Sequence, residues 1–85
     1  PESIGNLTNL ERLYLQNNKL TTLPESIGNL TNLSYLDLHN NELISLPESI
    51  GNLKNLEELV LYNNPISDEE KERIKKLLPN TKIYF

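Results

Sequence analysis

Asp37 and His39 stand two residues apart around Leu38, and Glu58 and Tyr62 fall nearby, in the next stretch of similar sequence. Residues two apart on an extended strand share a face, so a carboxylate and an imidazole here could pass a proton between them or grip a metal ion. The rest of such a site is missing. The chain has one His, no Cys and no glycine-rich run that would cradle a phosphate. Neither a metal-ligand set nor a group of nucleophile, base and orienting residue can be assembled from what remains. The sequence therefore predicts no enzyme, no catalytic residue, no cofactor and no metal site. Asp37 and His39 read instead as polar contacts on a binding surface.

That surface gathers aromatics. Of the 4 Tyr, Tyr14, Tyr35 and Tyr62 fall at positions that alternate with inward leucines, and Tyr84 joins them if the last strand is shifted by one residue. Side chains with a large apolar body and a polar tip are enriched at binding hot spots. Stacked strands give the expected rows Arg12, Tyr35, Glu58 and Lys82; then Tyr14, Asp37, Val60 and Tyr84; then Gln16, His39 and Tyr62; then Asn17, Asn40 and Asn63. The predicted contact set is Arg12, Tyr14, Gln16, Tyr35, Asp37, His39, Glu58, Val60, Tyr62 and Tyr84. Tyr14, Tyr35 and Tyr62 are its anchors, and Val60 is expected to be its exposed apolar residue. Aligning residues 10–32 with 33–55 points to the same place: the differences fall in the strand and its turn (Arg12/Tyr35, Tyr14/Asp37 and Gln16/His39 among them), whereas the stretch from Pro24 to Leu30 is repeated unchanged. Drift at solvent positions would give the same distribution; the tyrosines favour the binding reading.

The element that must position these side chains is a repeat. Asn18, Asn41 and Asn64 recur every 23 residues, each within Leu-x-x-Leu-x-Leu-x-x-Asn-x-(Leu/Ile): Leu10-Leu13-Leu15-Asn18-Leu20, Leu33-Leu36-Leu38-Asn41-Leu43 and Leu56-Leu59-Leu61-Asn64-Ile66. The alternation around Leu13 and Leu15 has the period of a strand, and identical strands at a fixed offset must run parallel. The Asn ladder is expected inside the stack, because a turning backbone there leaves amide groups that only an inward polar side chain can satisfy. The returns run through Pro24 to Leu30 and Pro47 to Leu53. Pro24 and Pro47 suit the first position of a short helical turn and Gly28 and Gly51 its exit, with Ile27, Leu30, Ile50 and Leu53 inward and a 3₁₀ or irregular turn expected. Glu2, Glu25 and Glu48 mark the starts of these turns, where the local dipole favours an acid.

After Asn64 the return changes. Ser67 and Glu70 form a capping box, acids crowd the first turn and bases the last, and Glu69–Arg73 and Glu72–Lys76 are spaced as ion pairs. Pro79 stops the helix, whose apolar stripe is Ile74, Leu77 and Leu78. Residues 81–85 alternate again. A return one residue longer than the others turns Ile83 and Phe85 inward and leaves Lys82 and Tyr84 outside.

The chain thus resembles the leucine-rich repeat family in its 23-residue form, with Leu-Pro-x-x-Ile-Gly-Asn-Leu backs, and the tail from Asn64 to Phe85 is similar to C-terminal caps of bacterial members. The resemblance implies a right-handed α/β solenoid with a parallel sheet on its concave side, used to bind proteins, and brings no catalytic residues. The expected organisation is one repeat domain over 1–85: a partial repeat at 1–9, repeats at 10–32 and 33–55, a last strand and turn at 56–66, and a cap at 67–85. A structural role as the end of a longer array, or as a regulatory segment of a larger enzyme, is the alternative. With 8 Lys+Arg against 12 Asp+Glu, a net charge of −4 disfavours nucleic acid. No apolar run approaches the length of a membrane helix and no signal-peptide pattern opens the chain, so no membrane partner is expected. The lack of Cys leans toward a cytoplasmic setting or a bacterial protein. Pro1 falls mid-repeat, so a fragment of a longer array is expected, and Ile4, Leu7, Leu10 and Leu13 at that end suggest self-association. Matches to the glycosylation triplet, such as Asn29-Leu30-Thr31, arise from the repeat itself and carry little information.

Overall fold

The computed structural model describes residues 7–85; the expectations placed on Pro1, Glu2 and Ile4 lie outside the described residues. Each leucine-rich stretch contributes one short strand: β1 (Arg12–Tyr14), β2 (Tyr35–Asp37), β3 (Glu58–Val60) and β4 (Lys82–Tyr84). They form one parallel sheet in the order β1-β2-β3-β4. Register follows the repeat, with Leu13 beside Leu36, Leu36 beside Leu59, and Leu59 beside Ile83. The last pairing matches Glu58 to Lys82, a step of 24 where Tyr35 to Glu58 is 23. The longer return keeps Ile83 and Phe85 against the core and spares Lys82 from burial.

The chain returns through 3₁₀ helices at Glu25–Asn29 and Glu48–Asn52, and then through α1 (Asp68–Leu77). Between sheet and helices lies a core of leucine and isoleucine in which Ile27, Leu30, Leu36, Leu38, Ile50, Leu53, Leu59 and Ile74 are wholly buried. Each such side chain contributes about 1.5–3 kcal/mol by leaving water. At the other end of the stack Leu7 is 51% exposed, and Leu10 and Leu13 are half-buried.

Of the Asn ladder, Asn41 lies inside and Asn64 is half-buried, as the spacing predicts, whereas Asn18 is exposed in the first coil described, where no earlier coil covers it among the described residues. Asn41 Nδ2 donates to the carbonyls of Leu15 and Leu38 at 3.0 and 2.9 Å, and Asn41 Oδ1 accepts from Leu20 N–H at 3.1 Å. Asn64 repeats the set one coil on, to Leu38, Leu61 and Leu43. Each amide therefore closes the turn of its own coil and ties it to the coil before. Its neighbours Asn17, Asn40 and Asn63 sit at φ of 61°, 59° and 61°, a left-handed conformation that asparagine tolerates better than other residues with a Cβ.

Several local expectations need correction. Pro24 and Pro47 are extended N-caps, with ψ of 152° in both, and the helices begin one residue later. Gly28 and Gly51 are not exits: each lies within its 3₁₀ helix, and neither has a positive φ. Gly28 is required by proximity, since a Cβ there would meet Ser49 O at 2.7 Å. Ser49 Oγ donates to Glu25 O at 2.7 Å, drawing the two 3₁₀ helices together. In α1 the ion pairs are Asp68–Lys71, Glu70–Arg73 and Glu72–Lys75, all three residues apart, in place of Glu69–Arg73 and Glu72–Lys76. Only half of the capping box forms. Ser67 Oγ accepts from Glu70 N–H at 3.2 Å, but the Glu70 carboxylate turns to Leu46 N–H at 3.2 Å, and Arg73 donates to Leu46 O at 3.0 Å and to Glu70 at 2.7 Å. The two side chains thereby pair a partly buried backbone unit that would otherwise lose its hydrogen bonds, and that demand outbids Glu69 for Arg73. Lys75, within 5.8 Å of the Phe85 ring, takes Glu72.

Two outcomes in urea denaturation test this arrangement. Asn41→Ala leaves the Leu20 N–H without its acceptor and takes one of two amide donors from each of the Leu15 and Leu38 carbonyls, and should lower stability by about 1–3 kcal/mol, whereas Asn18→Ala, at an exposed position, should cost under about 1 kcal/mol. Gly28→Ala drives a methyl group into Ser49 and should cost about 1–3 kcal/mol, against roughly no loss expected from its effect on helix propensity alone.

Candidate functional site

The open face of the sheet, opposite the 3₁₀ helices, carries the outward residues of all four strands. Parallel pairing sets Arg12, Tyr35, Glu58 and Lys82 side by side, and Tyr14, Asp37, Val60 and Tyr84 beside them. Just beyond the strand ends, Leu15 N–H donates to Asp37 O and Asn17 N–H to His39 O, with the same step repeated from Leu38 to Val60 and from Asn40 to Tyr62. The predicted rows are therefore the rows observed.

Within them, two pairs of rings meet. Tyr14 and Tyr35 have centroids 5.4 Å apart, tilted by 46°. His39 stacks on Tyr62 at 4.6 Å and 20°. Tyr14, Tyr62 and Tyr84 expose 53%, 43% and 38% of their surface, while Tyr35, His39, Glu58 and Gln16 are half-buried and Arg12 is exposed. Two members of the predicted set depart from expectation. Val60, read as an exposed apolar contact, is 7% exposed, and so is Asp37. Both occupy the middle of a row flanked by Tyr14 and Tyr84, so the larger neighbours cover them.

The covered carboxylate is compensated locally. Asp37 Oδ1 lies 2.5 Å from His39 Nδ1 and accepts from His39 N–H at 3.2 Å. A buried charge without such partners would be costly. Asp37 therefore holds His39 in place, and His39 in turn backs Tyr62, a support that the Asp-x-His spacing signals once the pair is seen as mutual. Gln16 Oε1 is the buried side-chain oxygen without a partner among the described residues. Tyr35 has its pKa raised, first by burial and then by the negative charge of Asp37, with smaller effects from Tyr14, Glu58 and Tyr62. Its phenol stays protonated through the neutral range and keeps a donor on the face.

Two features went unanticipated. Lys82, placed in a row but outside the contact set, reaches across so that its ammonium stands 5.4 Å from the Tyr84 ring centroid. Asn17, Asn40 and Asn63 form a side-chain ladder along one border of the face, with bonds of 2.7 and 2.6 Å. Among the described residues no group of three His, Cys, Asp or Glu could hold a metal ion. The face offers aromatic area, mixed charge and hydrogen-bonding tips, which suit non-covalent contact.

A family model described as a leucine-rich repeat region matches residues 1–82. Among solved structures, a leucine-rich repeat protein of Leptospira interrogans is similar over 100% of this chain, with 55% identity and a TM-score of 0.98, and the chain covers 22% of it. Two Listeria monocytogenes internalins, F and C2, each align over 100% of the chain at 25% identity and a TM-score of 0.56, and the chain covers 33% and 44% of them. This chain therefore spans less than half the length of each of these proteins. No curated protein matches it. No helix of the described residues is long and apolar enough to cross a membrane. With the inward Asn ladder, the parallel sheet and the family match in agreement, the chain belongs to the leucine-rich repeat family, a family of typical protein-interaction modules.

Proposed function

We propose that this chain binds a protein partner through the open, concave face of its sheet and does no chemistry on it. The observation that carries this reading is the clustering of all four tyrosines on that one face, three of them well exposed around a rigidly hydrogen-bonded floor. Exposed aromatic side chains already fixed in place lose little entropy on binding and supply large contact area. Tyr14, Tyr35 and Tyr62 act as anchors, and Arg12, His39, Glu58 and Gln16 set the polarity around them. Asp37 and Val60 contribute from beneath, by shaping the surface.

A second reading has its own support. A Cβ on Gly51 would meet Leu77 of α1 at 3.4 Å, where one on Gly28 of the preceding coil would meet Ser49 of the next 3₁₀ helix, so α1 occupies the place of a further coil. On that reading the chain closes a longer array and binds nothing by itself.

One comparison separates the two. Tyr14→Ser, Tyr35→Ser and Tyr62→Ser together should leave the far-ultraviolet circular dichroism intact and lower capture of the partner by roughly tenfold or more, because hot spots of this kind dominate binding. Glu25→Gln with Glu48→Gln, on the opposite side, should leave capture unchanged. Equal capture by the tyrosine variant and the parent chain would remove the open face as the interface.

A further inference from the structure

Tyr35, Tyr62 and Tyr84 stand around a shallow depression completed by Asp37, Glu58 and Val60. Its two charged groups are both acidic. Asp37 is held through Oδ1 by His39, and its Oδ2 makes no hydrogen bond among the described residues. Glu58, half-buried one strand away, forms no ion pair within the described residues. A carboxylate that is partly desolvated and has no counter-charge attracts a cation more strongly than an exposed one does. Aromatic rings beside it add the attraction of their π-electrons. One ring is already used in this way: the ammonium of Lys82 stands 5.4 Å from the centre of Tyr84. The raised pKa of Tyr35, to which burial and the charges of Asp37 and Glu58 contribute, reports the same negative field.

We propose that this depression receives the side-chain cation of an arginine or lysine presented by the protein partner, paired with Glu58 and Asp37 and ringed by Tyr35, Tyr62 and Tyr84. The inference rests on the binding role proposed above and specifies what that face recognises. Lys82 serves as a resident cation that the incoming one displaces from Tyr84, and Arg12, across Tyr35 in the same row, sets the limit of the negative region.

The test is a nuclear magnetic resonance titration of the full chain with a capped Gly-Arg-Gly peptide, its lysine counterpart, and its citrulline counterpart, which keeps the shape of arginine without the charge. The arginine or lysine peptide should shift the amides of Tyr35, Glu58, Val60 and Tyr84 saturably, with a dissociation constant on the order of millimolar for a single cation contact, and the stronger of the two identifies the side chain. Citrulline should bind roughly tenfold more weakly, and Glu58→Gln should weaken the charged peptide by about as much. Lys82→Ala should tighten binding, an outcome that damage to the fold could not produce. Equal binding of the arginine and citrulline peptides, or a Glu58→Gln variant with unchanged affinity, overturns the proposal. If the tyrosine variant loses its partner while Glu58→Gln keeps it, the open face binds but the cation site is wrong; if both keep it, the binding reading itself fails.

Discussion

Everything in this molecule depends on one asparagine amide per coil. A chain that makes a strand of three residues and then turns must leave carbonyls and an amide facing an interior of leucine, where water cannot reach them. Asn41 and Asn64 each satisfy two carbonyls and one N–H across two successive coils. Leucine burial supplies the driving force for stacking, but it is non-directional. The asparagines fix the register, because their bonds form only when each coil lies one repeat from the last. The left-handed residue before each of them makes the turn tight enough for the amide to point inward.

A fixed register is what turns alternate strand residues into a surface. Since Tyr35 must lie beside Glu58, and Asp37 beside Val60, residues far apart in sequence meet without any loop to hold them. The interior and the face are then built on different rules. Inside, substitution by anything but an apolar residue of like volume breaks the stack. Outside, the backbone is already paired, so the face can change its chemistry from coil to coil, as Arg12 against Tyr35 and Tyr14 against Asp37 illustrate. This separation explains how a scaffold with identical backs can carry a face whose chemistry differs from coil to coil.

The sequence disclosed the fold well because its signals are periodic. The leucines, the asparagines and the final strand shifted by one residue were all legible, the last because burying Lys82 is physically disfavoured. Signals that depend on neighbours in space were not. Pairing of Glu70 and Arg73 with the backbone of Leu46 overrode the helix-surface spacing of Glu69 and Arg73. Gly28 was read as a turn residue when its role is to let Ser49 approach. On the face, the rows could be written from the repeat, but the covering of Val60 and Asp37 depends on how far Tyr14 and Tyr84 spread over them. The same holds for the contact of Lys82 with Tyr84.

The claim that side-chain amides of asparagine lock the coils together is tested most directly by native-state hydrogen exchange at Leu20 and Leu43. Neither amide donates to another backbone group; each donates to the Oδ1 of an asparagine one coil ahead. If that bond is part of the cooperative interior, both amides should exchange only with global unfolding, at rates that match the core amide of Leu38. Exchange at Leu20 and Leu43 as fast as at exposed turn amides would show that the ladder merely decorates a stack held by leucine alone.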